Sequence, residues 1–343
     1  MDSTSIDWYR VPIDAATLKG FTRKSDLRGF LQAGSFLLIF AATTATACSF
    51  FRARMWIPMA LVCYLHSLFL NFLGMAAAVH ELSHGTVFRS RPVNEFFYNL
   101  FCFLTWNNPV HFRASHMLHH QLTVYRGRDK EVIQQPVAQR MNWVNYLSWL
   151  TFDFKAFALF MKVNVLHALG RGDVDYFYWD PLFPKDDPRR RAMCRWARFV
   201  LIAHLGMLAV FIVFKLWVLI YLLVFGSFFA SILANLCGAI QHSGLAASTP
   251  DWRLACHTVK VNPVIGFLYW HMNYHTEHHM YAAVPFFNLA RFHRATRGGM
   301  QIPQRSFLSC IRLLLQIKKR QKEDPSYTVV PEFPSTAAPP RWE

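Results

Sequence analysis

Residues 275–279 read HTEHH and residues 116–120 read HMLHH. In each run one histidine is followed three and four positions later by two more. On a helix that spacing puts His275, His278 and His279 on one face, and likewise His116, His119 and His120. A third pair, His80 and His84, lies one turn apart in HELSH (80–84), and His242 follows an apolar run in AIQHSG. These nine imidazoles exceed what one metal ion can use, whereas two ions with four or five nitrogens each fit the count. Neutral imidazole suits iron, copper, nickel and zinc, and the scarcity of nearby thiols argues against a soft thiolate site. The bland reading, solvated helix faces, explains one such cluster. It does not explain three, because ionisable groups beside apolar spans are costly and clustering them needs a reason.

The surroundings of the histidines are those of a membrane protein. Of 343 residues, 53% are hydrophobic and only 16% charged, where a soluble chain carries roughly a quarter charged. Residues 31–51 and 56–79 form two apolar runs joined by a short link with Arg52 and Arg54, and 199–214 and 216–237 form a second pair around Lys215. About 20 residues at 1.5 Å rise cross a hydrocarbon core of roughly 30 Å, so four transmembrane helices are expected. The stretches 96–106 and 143–166 are aromatic but interrupted by polar residues and read as interfacial helices. The sequence therefore predicts an all-α integral-membrane fold: four crossings, interfacial helices and a histidine-rich cytosolic cap.

Charge sets the expected orientation. Lys and Arg are abundant in 1–30, 113–140 and 185–198, while the opposite loops hold only Arg52, Arg54 and Lys215. The positive-inside bias then puts both termini, the central loop and all nine histidines on the cytosolic side of a multi-pass protein, in the endoplasmic reticulum if the cell is eukaryotic. The net charge of +16 is accounted for by these flanks, and nucleic acid is not expected as a partner. Three segments follow: 1–30 cytosolic, 31–300 the membrane unit, and 301–343 a cytosolic segment whose last part, 323–343, is rich in Pro, Ser and Glu and reads as disordered. The seven cysteines are scattered without a CxxC pair and read as small buried hydrophobes.

One competing motif is present. His80-Glu81-Leu82-Ser83-His84 also matches HExxH, in which two histidines bind zinc and the glutamate is general base of a protease. That reading needs a further ligand and leaves both HxxHH runs idle. Glu81 has an alternative role, accepting a hydrogen bond from a ligand histidine and fixing its tautomer. His111 and His271 precede the ligand runs by five and four residues and are candidates for the same supporting position.

With HELSH, HMLHH and HTEHH in this order, the chain resembles the membrane fatty-acid-desaturase superfamily over roughly residues 30–300. The resemblance implies two non-haem irons held by His80, His84, His116, His119, His120, His242, His275, His278 and His279, with dioxygen as co-substrate. It implies desaturation of an acyl chain or similar apolar lipid, with hydroxylation of a lipid or terpenoid as the alternative. The chain lacks an HPGG haem motif and any flavin or nicotinamide fingerprint, so an external electron carrier is expected, either a small haem protein or a ferredoxin with its reductase. Arg113, Arg126, Arg128, Lys130 and Arg189 to Arg191 are candidates for its docking face, and Trp106, Trp270, Tyr274, Phe286 and Phe287 for the walls of a substrate tunnel.

Overall fold

A computed structural model of the chain describes residues 6–132, 136–175, 177 and 182–342. It is all-helical, with only isolated β-bridges among the described residues. After the short α1 (Ala15–Phe21), the long α2 (Asp26–Arg52) starts at Ser25, whose side chain accepts from Arg28 N, and α3 (Trp56–Leu70) returns along it. Arg54 closes the turn between them in the left-handed region, φ 56°, and Met55 N donates back to Phe50 O. This is the hydrogen-bond pattern of a helix end capped by one left-handed residue.

The second expected crossing, 56–79, is not one continuous helix. Asn71 Nδ2 donates to Ser67 O and Phe229 O, and the chain passes through a 3-10 turn (Asn71–Leu73) before α4 (Ala78–Ser83) carries His80 inward. Helices α5 (Arg91–Leu104) and α6 (Pro109–Leu122) follow. Pro109 opens α6, where its missing N–H costs nothing, and Asn108 accepts from Val110 N and His111 N. Next come α7 (Val137–Arg140), α8 (Trp143–Leu150) and α9 (Phe154–Ala168). At 14, 8 and 15 residues, α5, α8 and α9 are too short to cross a bilayer.

The long α10 (Pro188–Val213) begins eleven residues before the expected start of the third span, behind an Asp187 cap. Lys215 (φ 57°) turns the chain into α11 (Trp217–Leu219), a π-turn (Ile220–Phe225) and a 3-10 turn (Gly226–Phe228), and helix resumes only at α12 (Ile232–His242). The expected fourth span is thus interrupted. The break has a local cause: Asp153 N donates to Phe228 O at 2.7 Å and Ala230 N to Thr151 O at 3.0 Å, so the backbone leaves the helix to pair with the α8–α9 link. Three helical stretches among the described residues are long and apolar enough to cross a membrane: Ala15–Arg52, Trp56–Ser83 and Pro188–Val213. They present apolar side chains outward, with Ile57 85%, Ile202 71% and Leu38 70% exposed, a surface suited to lipid rather than water.

The remaining helices, α13 (Trp252–Ala255), α14 (Pro263–Leu268), α15 (His275–Met280), α16 (Phe286–Thr296) and α17 (Phe307–Arg320), complete the histidine-bearing layer. One core, including Phe72, Leu73, Phe101, Trp270 and Phe286, joins α2–α5 to this layer. The segment 323–342, read from composition as disordered, instead lies along it. Val329 N donates to Gly244 O at 2.9 Å, and Arg341 N to Asp251 Oδ2 at 3.1 Å. The physical reason is Arg253. It is completely buried, paired with Asp251 at 2.6 Å, and it uses the Ala338 and Pro339 carbonyls to satisfy its remaining donors.

Candidate metal centre

The nine histidines predicted as ligands come together in two groups. His80, His84, His116, His120 and His278 form one, His119, His242, His275 and His279 the other, and within each group the candidate ligand atoms all lie within 4.8 Å of one another. Helix α4 supplies His80 and, at the residue that caps its end, His84; α6 divides its three between the groups, α12 supplies His242 from its last residue, and α15 divides its three likewise. The two groups adjoin: the His120 and His279 rings stack 4.2 Å apart, and His80 stands 6.0 Å from His275. Seven of the nine are buried, with His84 and His120 partly covered.

In eight of the nine rings, His119 apart, Nε2 is the atom that meets a neighbouring ring. His80 Nε2 is 2.9 Å from His278 Nε2, and His116 Nε2 is 3.0 Å from His80 Nε2 and 3.1 Å from those of His84 and His120. In the second group His275 Nε2 is 2.9 Å from His242 Nε2 and 3.0 Å from His279 Nε2. The outward nitrogens explain why. His116 Nδ1 donates to Glu131 Oε1 at 2.8 Å, His119 Nδ1 to Asp129 Oδ2 at 2.8 Å, His242 Nδ1 to the Ala255 carbonyl at 2.9 Å, and His279 Nδ1 to Thr123 Oγ1 at 3.1 Å. A neutral imidazole that donates through Nδ1 has only a lone pair at Nε2. Lone pairs cannot hydrogen-bond one another, so their convergence suits a shared metal cation.

Electrostatics agree. Burial, reinforced by neighbouring imidazoles, pushes His116, His120, His275, His278 and His279 well below the ordinary imidazole range, and burial brings His242 down to about 3. These rings stay neutral and available as ligands. Burial acts downward on His119 too, but the Asp129 carboxylate outweighs it and the net shift is upward.

The supporting residues differ from those expected. Glu81 is 1% exposed, its Oε2 accepts from Phe286 N at 3.1 Å, and its Oε1 lies 3.3 Å from His278 Nδ1, the outward nitrogen of that ring. It stands behind a histidine, not beside the converging Nε2 atoms where a protease base would be. His111 and His271 belong to neither group: His111 Nε2 pairs with Asp175 at 2.7 Å, and the His271 ring lies beside Phe286. Asp129 and Glu131 were missed by sequence reasoning. Their signal was an acidic pair two residues apart in the otherwise basic RGRDKE (126–131), just past HMLHH.

A cavity of about 310 Å³ reaches His80, His116, His119 and His275, and its apolar wall is made by Phe112, Ala156, Phe160 and Phe228. None of the five aromatics proposed as tunnel walls lines it. Trp106 is instead buried against His204, its Nε1 donating to Val224 O at 2.8 Å. The proposed basic docking residues are also partly engaged, since Arg113 pairs with Glu95, Arg189 with Asp187 and Arg190 with Asp173.

Comparison with known proteins agrees with this geometry. Residues 54–307 match the family described as fatty acid desaturase. A rice protein (Oryza sativa subsp. japonica) described as a sphingolipid delta(4)-desaturase DES1-like is 24% identical over 237 residues, 68% of this chain. The match spans 63% of that relative's length. With three-quarters of its length inside the match, and the histidine clusters inside it too, the chain belongs to the fatty acid desaturase family.

Proposed function

We propose that the chain is an oxygen-dependent, di-iron lipid desaturase that introduces a double bond into an acyl chain or a similarly apolar substrate. The observation that carries the reading is the convergence of nine imidazoles in groups of five and four, with the outward nitrogens of His116, His119, His242 and His279 held by carboxylate, carbonyl and hydroxyl acceptors. His80, His84, His116, His120 and His278 would hold one iron, and His119, His242, His275 and His279 the other. Once bound, the irons supply from dioxygen an oxidant strong enough for an unactivated C–H bond, which no side chain can provide.

The remaining work belongs to the protein. Asp129, Glu131, Thr123 and the Ala255 carbonyl fix ring orientation and tautomer. The cavity that opens on His80, His116, His119 and His275 receives the substrate from the bilayer and places one pair of adjacent carbons beside the centre. The balance is a CH₂–CH₂ unit, dioxygen, two electrons and two protons giving CH=CH and two waters. The two electrons come from an external one-electron carrier, a small haem protein or a ferredoxin with its reductase, docking on the basic loops around Arg126 and Lys130. In this reading the chain crosses the membrane four times, with the interrupted α11–α12 segment as the last crossing and the histidines on the cytosolic face. Non-helical backbone at that depth is tolerable because Phe228 and Ser231 line the cavity rather than face lipid.

The test is lipid profiling of a host expressing the chain or its His279→Ala variant. A new unsaturated species made only by the wild type supports the desaturase. A new alcohol identifies a hydroxylase on the same centre, and no new lipid contradicts both.

A further inference from the structure

The cavity beside the histidines is not simply an apolar slot. Arg140, the last residue of α7, lines it. One guanidinium nitrogen lies 3.4 Å from where a Cβ on Gly238 would stand, so the absence of a side chain at Gly238 makes room for it. Gly238 is four residues before His242 on α12, which puts the guanidinium about one helical turn, roughly 6 Å, from that histidine along the helix.

This guanidinium has no hydrogen-bond or ion-pair partner among the described residues. The two carboxylates that line the same cavity are engaged elsewhere: Glu131 with His116 Nδ1 and Ser115 Oγ, Asp153 with Ala156 N and Ser148 Oγ. Two more polar atoms of cavity-lining residues, Gln241 Nε2 and Ser227 Oγ, are buried and unpartnered. Burial also lowers the basicity of Arg140, the direction expected of a cation kept from bulk water. The guanidinium is partly open to the cavity, so a ligand entering there can supply the acceptors that the described residues do not.

We propose that Arg140 is a specificity-determining residue that binds an anionic head group, a carboxylate or a phosphate monoester, at one end of the substrate's alkyl chain. Gln241 and Ser227 add neutral hydrogen bonds from the same cavity. Because the guanidinium stands one helical turn from His242, the carbons brought to the metal centre are those within a few bonds of the head group, not those in the middle of a long chain. The inference rests on the desaturase reading of the site, but its test does not require turnover.

Binding of dodecanoate, dodecyl phosphate and dodecanol to the purified full chain in detergent at pH 7.5, followed by tryptophan fluorescence, measures the preference. A charge-assisted pair makes the wild type bind an anion about ten to a hundredfold more tightly than the alcohol. The stronger of the two anions names the head group. Arg140→Gln abolishes the preference and Arg140→Lys keeps part of it, with iron content unchanged in both. Equal wild-type affinity for the alcohol and both anions overturns the proposal, as does an anion preference that survives in Arg140→Gln. Iron measured on the same samples separates the two ideas: a preparation without iron that still prefers anions contradicts the di-iron reading and leaves Arg140 in its role.

Discussion

Asp129 Oδ2 accepts from His119 Nδ1 at 2.8 Å and, through the same oxygen, from the backbone N–H of Val124 at 2.8 Å. Its other oxygen accepts from Glu131 N at 3.0 Å, and Glu131 in turn holds His116 Nδ1. Asp129 thus shapes the loop after HMLHH and orients His119, and through Glu131 it supports His116 in the other histidine group. Asp129→Asn keeps the shape and loses the charge. Outer carboxylates of this kind are worth tenfold to a hundredfold in metal affinity, so chelator competition should show a loss of about that size. Unchanged affinity would mean that His119 is not a ligand.

Glu81 makes the opposite case. Its contact with His278 Nδ1 is longer, 3.3 Å, and its firm hydrogen bond is to Phe286 N. Glu81→Gln preserves that acceptor, so its effect on metal affinity should be smaller than that of Asp129→Asn, and lipid oxidation should persist. Abolished activity with metal retained would point instead to a proton-transferring glutamate.

His111 and His271 lie outside both groups. His111→Gln and His271→Ala should keep wild-type metal content, whereas His116→Ala, which removes a ring facing three others, should lose metal. Metal analysis of the three purified variants checks this, and metal loss in either of the first two would redraw the ligand set.

The terminal strap carries a stability prediction. Asp251 and Arg253 are both fully buried, and removing the acid leaves an uncompensated guanidinium, at a cost of about 3–5 kcal/mol. Asp251→Ala should therefore lower the thermal midpoint by several degrees. Truncation after Tyr327, which removes the Ala338 and Pro339 carbonyls and the Arg341 N–H, should lower it in the same direction. An unchanged midpoint in both would mean that the strap contributes nothing to folding.

The two histidine groups were readable because a shared metal would impose a spacing that helices make visible. His116, His119 and His120, or His275, His278 and His279, can meet a common point only at such intervals. The partners behind them follow no period. Asp129 and Glu131 act from a loop, and Ala255 through a backbone carbonyl that any residue would offer. Hydropathy located the apolar runs but not their breaks. Asn71 and the 228–230 backbone are drawn out of helix by hydrogen bonds to segments distant in sequence, which a window average does not see. The strap was misread for a related reason: its Pro-rich composition forms no helix, yet a buried arginine elsewhere supplies its anchor.

Metal analysis of the freshly purified chain, reconstituted anaerobically with ferrous iron, bears most directly on the whole account. Close to two irons per chain, falling with His84→Ala in one group and with His242→Ala in the other, is the predicted result. A single zinc per chain unaffected by His242→Ala, or no tightly bound metal, would contradict it.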